Sequence, residues 1–420
     1  MSIAALGKHV LYTRTDGRGG TAVYYYYDEV TWVVLTLALA WVVWLLARAY
    51  LRARRLRRPP RPRDRGALKR VVKAKRELSR TYLRPGFSDN IHAVGVGLLG
   101  GRPGEYCIQV FVADARAEMW DGAGAEPLPA AHRGVPVELL EMPQAVFLSN
   151  TGAGETAPWE RFPGGIREPQ EVLVGGVSGA NTNLSGESGT IGYFCTRRSR
   201  LPRRREVYLL SNCHVFADLR KSCADEGDLI MHPSPGEAAT GRPVGALVSF
   251  SPLKFNGSTY EPNHVDAALA KFWGQQKHAP LLPFVGAVAG HVAKGEVEPG
   301  EAARKFGRTT GYTGGHVLSI HLDIWIRYDR TGQSAYFEGQ ILVEPSPPHA
   351  KFVAPGDSGS LVVDENRHAL GLIFAGTSDA PPPPRAGTGP AADSPRRVEG
   401  CGVANPIAEV LDRLKIDLVV

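Results

Sequence analysis

Cysteine is scarce. Five stand in 420 residues, at Cys107, Cys195, Cys213, Cys223 and Cys401. They are too few and too scattered for a disulfide scaffold. No CxxC pair opens a zinc ribbon. The odd count points to a reducing compartment, with a bond from Cys195 to Cys213 or Cys223 left open because pairing depends on geometry. The twelve histidines include no HExxH, so neither a metal nor any other cofactor is expected. The Gly-rich stretch 175–189 lacks GK[ST] and reads as a loop rather than a phosphate cradle. No GxSxG elbow is present, which speaks against a serine esterase. No internal repeat stands out.

The positive charge is local. Between Arg48 and Arg80 there are 15 Lys/Arg against Asp64 and Glu77, an excess of 13, so the formal +7 leaves about 7 − 13 = −6 for the rest of the chain. The globular part is mildly acidic, and a nucleic-acid-binding core is not indicated. Arg203, Arg204 and Arg205, with Arg200 just before them, read as a solvated hairpin tip.

Val30 to Ala47 (VTWVVLTLALAWVVWLLA) carries no charge. Extended to Leu51, with Arg48 snorkelling, it is long enough to cross a hydrocarbon core of about 30 Å as a helix. Tyr24–Tyr27 precede it and Tyr50 closes it, as rings at headgroup level do. The basic flank follows the apolar run, the wrong order for a cleaved signal peptide. The expectation is a single-pass membrane protein, with a tail at 1–29, a transmembrane helix at 30–51 and a basic Pro/Arg linker at 52–65 touching membrane lipid. The positive flank places the body in the cytoplasm, with the exported orientation as the alternative.

A helix follows the linker, with an apolar stripe at Leu68, Val71, Val72 and Leu78. Strand-like runs come next at Ile91–Leu99, Tyr106–Ala113 and Val135–Glu141, so 66–150 reads as a small α/β domain, propeptide-like, regulatory or merely packed on the body. From Val172 to the end, 172–420, short β-type segments recur between Gly, Pro and Asn: GTIGYFCT, EVYLLSN, PVGALVSF, VDAALAKF, HVLSIHLDIWIRY, FEGQILVE, GSLVVDE and HALGLIFAG. The pattern is that of a mainly β domain, a barrel or a sandwich. A Pro-rich loop occupies 381–399, and Ile407, Val410, Leu411 and Leu414 show helical spacing.

Three strings carry the chemistry. Pro355-Gly356-Asp357-Ser358-Gly359-Ser360 puts a serine in a glycine turn before the apolar Leu361-Val362-Val363, where glycines allow two backbone N–H groups to aim at one point. Tyr208–Val215 runs a strand into a polar turn with His214. Val265–Ala270 holds Asp266 in an apolar setting that a carboxylate tolerates only with a partner. Acyl transfer by serine needs these parts: Ser358 as nucleophile, His214 as base and Asp266 to orient it, with the amides of Gly356 and Ser358 as oxyanion donors. His264 and Asp228 are the weaker rivals.

In this order the strings resemble the catalytic motifs of the chymotrypsin/trypsin-like serine peptidases. Lys305–Gly314, containing GRTTG, is similar to a segment of the subgroup with the plant narrow-leaf serine proteases and bacterial relatives. Gly175–Ser178, Gly189–Gly192 and Val94–Gly97 resemble it too. The resemblance implies a double six-stranded β-barrel with the site in its cleft. His214 and Asp266 would sit on the first barrel and Ser358 on the second, with a closing helix at Pro406–Leu414. It further implies that Phe374, Ala375 and Gly376 pair with a substrate backbone and that Phe352 lies where side-chain preference is set. No acid is evident there, so strict Lys/Arg specificity is not expected. Ser360 and Cys213 depart from the commonest residues at their places, and Cys213 beside His214 could be redox-sensitive, with inert packing favoured over it. The expected activity is that of a membrane-anchored endopeptidase acting on proteins or peptides. A silent peptidase-fold scaffold that binds peptides is the alternative.

Overall fold

Alternating side chains turn the short β-type runs into two large sheets and, among the described residues, three two-stranded ones, and the chain is mainly β. The computed structural model describes residues 8–15, 21–27, 29–55, 65–88, 90–115, 128–148, 166–184, 187–198, 206–217, 227–235, 237, 241–255, 261–328, 332–377 and 395–420. Most of the 52–65 linker, Cys223, Arg200–Arg205 and the Pro-rich loop up to 394 therefore lie outside the described residues.

Two units are present, Met1–Arg57 and Arg58–Val420. The first contains an antiparallel hairpin, Lys8–Thr15 with Thr21–Tyr27, and the helix Glu29–Arg55. Its apolar side chains are exposed, from Val33 through Leu37 and Trp44 to Leu46. The expected crossing at 30–51 finds no support here, since no helix among the described residues is long and apolar enough to cross a membrane. The side chains described on that helix are those of 33–47. Those of 30–32 and 48–51 lie outside the described set.

In the second unit, seven strands run in the order Ala180–Asn181, Leu229–His232, Arg242–Phe250, Ala268–Phe272, Tyr208–Ser211, Tyr193–Arg197, Ile416–Leu418. Six others form a ring: Ala302–Gly307, Leu361–Val363, His368–Thr377, Gly402–Pro406, Gln333–Pro345 and Gly311–Tyr328, which pairs back onto Ala302–Gly307. The first sheet thus has seven strands where six are expected, the extra pairing coming from the C-terminal Ile416–Leu418.

The 18-residue strand Gly311–Tyr328 is longer than the ring requires. Its far half pairs with Ile91–Leu98, which leads to Tyr106–Val112 and Val135–Glu141. The strands of 66–150 are therefore continuous with the second sheet. Helix Arg65–Tyr82 covers them, burying Leu68, Val71, Lys75, Leu78 and Tyr82 at the spacing of one helical face. The closing helix is Ile407–Leu414, with Pro406 as its N-cap residue and Ile407, Val410, Leu411 and Leu414 buried.

Candidate active site

Strand Tyr208–Ser211 runs into a single helical turn, Cys213–Phe216, that carries His214. Strand Ala268–Phe272 lies antiparallel beside it with Ala268 opposite Ser211. That register brings Asp266, two residues before the strand, level with the turn. The carboxylate is wholly buried. Its Oδ1 accepts the backbone N–H groups of Cys213 at 2.6 Å and His214 at 3.3 Å, and its Oδ2 lies 2.5 Å from His214 Nδ1. The Asp266 backbone is held as well: its N–H donates to Asn405 Oδ1 at 3.0 Å, and its carbonyl accepts from Asn212 Nδ2 at 2.8 Å. Asn405 Nδ2 donates in turn to Gln340 Oε1 at 2.7 Å. A buried carboxylate is tolerable when its lone pairs are filled in this way.

With Nδ1 turned to Asp266, His214 directs Nε2 at Ser358, whose Oγ is 2.8 Å away. Ser358 belongs to the turn before Leu361–Val363 in the second sheet, and Thr190 N–H donates to its carbonyl at 2.8 Å. Three side chains far apart in sequence thus stand in one hydrogen-bonded chain. Of the rivals, Asp228 accepts from Asn181 Nδ2 at 3.0 Å, and His264 is exposed.

The serine turn depends on its glycines. Gly356 has φ 101° and Gly359 φ 96°, where a side chain is strained. A Cβ on Gly359 would come within 2.2 Å of the Thr190 carbonyl. Asp357 anchors the turn from within. Its carboxylate accepts the N–H groups of Thr309 (2.8 Å), Thr310 (3.2 Å) and Ala354 (3.0 Å) and the Thr310 hydroxyl (2.7 Å), and Lys305 Nζ lies 3.2 Å away. Burial pulls the Lys305 ammonium below its ordinary pKa, with the Asp357 charge opposing. Arg308, next in the same segment, pairs with Glu237. None of these partners of the serine turn is singled out for a role by the sequence reading, although Lys305 opens the string that carries the resemblance.

Among the residues expected to meet substrate, Phe374 offers its carbonyl, which accepts from Ser358 Oγ at 3.2 Å. Its ring is buried 4.6 Å from that of Phe337. Phe352 is wholly buried, in one apolar cluster with Leu148, Val353 and Ile373. Ala375 and Gly376 are paired already, to Phe147 and Val146. The Gly356 N–H, one of the two expected oxyanion donors, donates to the Leu148 carbonyl at 2.8 Å. The role of 145–148 at this edge is not legible in the sequence.

Cys213 is a buried free thiol, as is Cys195, so the bond between them is not formed. Burial, and then the Asp266 charge, push the Cys213 thiol well above its usual pKa. That is the reverse of a reactive cysteine, and inert packing is what the structure shows.

No protein-family model matches the sequence, and no curated protein matches it. Solved structures that resemble the chain include several proteases. Protease A of Thermobifida fusca is 18% identical over 59% of this chain and 99% of that one, with a TM-score of 0.37. The Nocardiopsis protease is 16% identical over 59% and 99%, at 0.36. The chymotrypsin of Cellulomonas bogoriensis is 19% identical over 59% and 98%, at 0.34. Likeness at this level says nothing about activity, nor about the narrow-leaf subgroup.

Proposed function

We propose that the chain is a serine endopeptidase acting on proteins or peptides through Ser358, His214 and Asp266. The observation that carries this reading is the unbroken link from Asp266 Oδ2 to His214 Nδ1 and from His214 Nε2 to Ser358 Oγ, at 2.5 and 2.8 Å. Ser358 Oγ attacks the carbonyl carbon while His214 takes its proton, and the amides of Gly356 and Ser358 meet the developing oxyanion. His214 returns the proton to the leaving amine, and water releases the acyl-enzyme. Phe374, Ala375 and Gly376 supply the edge along which a substrate backbone adds as a strand, and Phe352 backs the recess for the side chain before the cut.

Ser358→Ala is expected to abolish labelling by a fluorophosphonate probe and hydrolysis of an added peptide. Full labelling of that variant would remove the proposal.

A membrane tether through 30–51 belongs to the same reading and rests on the sequence: a charge-free apolar run closed by tyrosine and followed by arginines. Retention of the full chain in carbonate-washed membranes, with its C-terminus protected from external protease until the membrane is opened, is the expected result. Release by carbonate would end the tether, and cleavage in intact cells would reverse the orientation.

A further inference from the structure

The edge assigned to substrate is occupied by the chain itself. Ala145–Phe147 runs antiparallel to His368–Thr377, with Phe147 opposite Ala375, Val146 opposite Gly376 and Ala145 opposite Thr377. This is strand addition, the geometry in which a peptide substrate would lie. The next residue is Leu148, and its carbonyl oxygen accepts the Gly356 N–H at 2.8 Å, two residues before Ser358. An oxyanion donor engaged with a backbone carbonyl marks that carbonyl as the one positioned for attack.

The side chains agree with the backbone. Leu148 is 1% exposed. A Cβ on Gly376 would come within 3.1 Å of Leu148 Cδ2 and 2.6 Å of Val353 Cγ2, so the leucine fills a recess whose floor glycine leaves open. Phe147, one residue back, sets its ring edge-on to His214 with centroids 5.1 Å apart. The rings of Phe255, Tyr328, Phe337 and Phe374 stand 5.5 to 6.4 Å from it. Ordinary core packing accounts for buried apolar side chains. The backbone adds what packing does not require: the carbonyl that accepts the Gly356 N–H is the one directly after the strand paired to this edge.

We infer that the peptide bond following Leu148 is a substrate of this site, that the protein hydrolyses its own chain there, and that the recess selects leucine-sized aliphatic side chains. The inference rests on the serine-peptidase reading above. Ser358 Oγ forms a bond to the Leu148 carbonyl carbon and its proton passes to His214 Nε2. The carbon–nitrogen bond then breaks and His214 gives the proton to the departing nitrogen. Water attacks the ester, losing a proton to His214. Leu148 is left as a carboxylate, a new amino terminus appears at residue 149, and Ser358 recovers its hydroxyl. The strands on the N-terminal side of the cut stay paired to Gly311–Tyr328, so the pieces 1–148 and 149–420 remain together after hydrolysis.

The test follows the purified full chain over time by intact mass and N-terminal sequencing, with fluorophosphonate labelling and hydrolysis of an added peptide measured on the same samples. The expected result is a single cut after Leu148 at a rate independent of protein concentration, with Ser358→Ala remaining whole. Leu148→Asp should slow that cut at least about 100-fold, as a charge in an apolar recess requires. Leu148→Met should stay within about tenfold, since its volume is conserved; this second variant keeps the result readable if the aspartate misfolds. A chain that labels and cleaves the added peptide yet stays whole, or is cut elsewhere, overturns self-hydrolysis and leaves the peptidase reading standing. A chain that neither labels nor cleaves removes both.

Discussion

Lys305 and Asp357 are both wholly inaccessible to solvent and lie 3.2 Å apart. Removing one partner of such a pair strands the other as an uncompensated buried charge, a loss of about 3–5 kcal/mol. Here the stranded group would be Asp357, whose backbone lies between the two expected oxyanion donors. Lys305→Met is therefore expected to lower kcat toward the roughly 100-fold loss that follows removal of an oxyanion donor, with KM little changed; steady-state kinetics on a peptide separates the two. Unchanged kcat would show that Thr309, Thr310 and Ala354 hold the turn without the lysine. Asp266→Asn should act differently. It keeps the shape but spoils the tautomer of His214, and kcat should fall about 10⁴-fold with probe affinity retained. The residues of this second prediction were legible in the sequence, because a serine between glycines, a histidine after a strand and an isolated acid in an apolar run each carry a local signature. Lys305 was not, because its partner is 52 residues away and nothing local distinguishes a buried lysine from a solvated one.

The same limit appears in whole elements. Periodicity marks a helix after the linker and names Leu68, Val71, Val72 and Leu78 for its inner face; Val72 is only half-buried, and Lys75 shares that face. It is 2% exposed and its Nζ lies 2.5 Å from the Asp323 carboxylate on Gly311–Tyr328. Lys75→Met should destabilise the protein by about 3–5 kcal/mol, because Asp323 would keep only neutral donors such as the Gly339 N–H. Adding Asp323→Leu should recover most of that loss, since replacing both partners with apolar groups is often neutral. Urea midpoints of the two variants decide it, and a double variant no better than the single one would refute the pairing. Strands were readable because alternation is local. Their register was not: several pairings carry bulges, as between Ile320 and Asp323 where Ile91–Leu98 joins. The continuity of the strands of 66–150 with the second sheet depends on that irregular stretch, and so does the delivery of Ala145–Phe147 to His368–Thr377.

At the scale of the whole molecule, stability should depend on pH through histidines buried without charge. His232 donates from Nδ1 to the Ser178 carbonyl at 2.7 Å and accepts the Gln170 N–H at Nε2 at 3.2 Å. Burial pulls its pKa down from 6.5 to about 4; the Ser178 bond opposes this and the Arg242 charge adds to it. His92 is pulled down to about 4 as well, by burial. The sign follows from which state takes the proton first. As pH falls through 6.5 the unfolded chain protonates at both positions while the folded chain does not, so stability is lost from about pH 6.5 downward and levels off near pH 4. Each site contributes up to about 1.4 kcal/mol per pH unit. Most carboxylates titrate lower, so the interval from pH 6.5 to 5 isolates the histidines. The unfolding free energy should fall across it by about 1.6 kcal/mol per site, and His232→Asn should remove one proton's worth of that slope whatever it does to absolute stability. Urea unfolding at half-unit pH steps measures both quantities. A wild-type curve flat from pH 6.5 to 5 would mean that these two rings accept protons in the folded state as readily as in the unfolded one. The second unit would then have to open around them, because the bonds from His232 to Ser178 and Gln170 fix it as a neutral ring and leave no lone pair for a second proton.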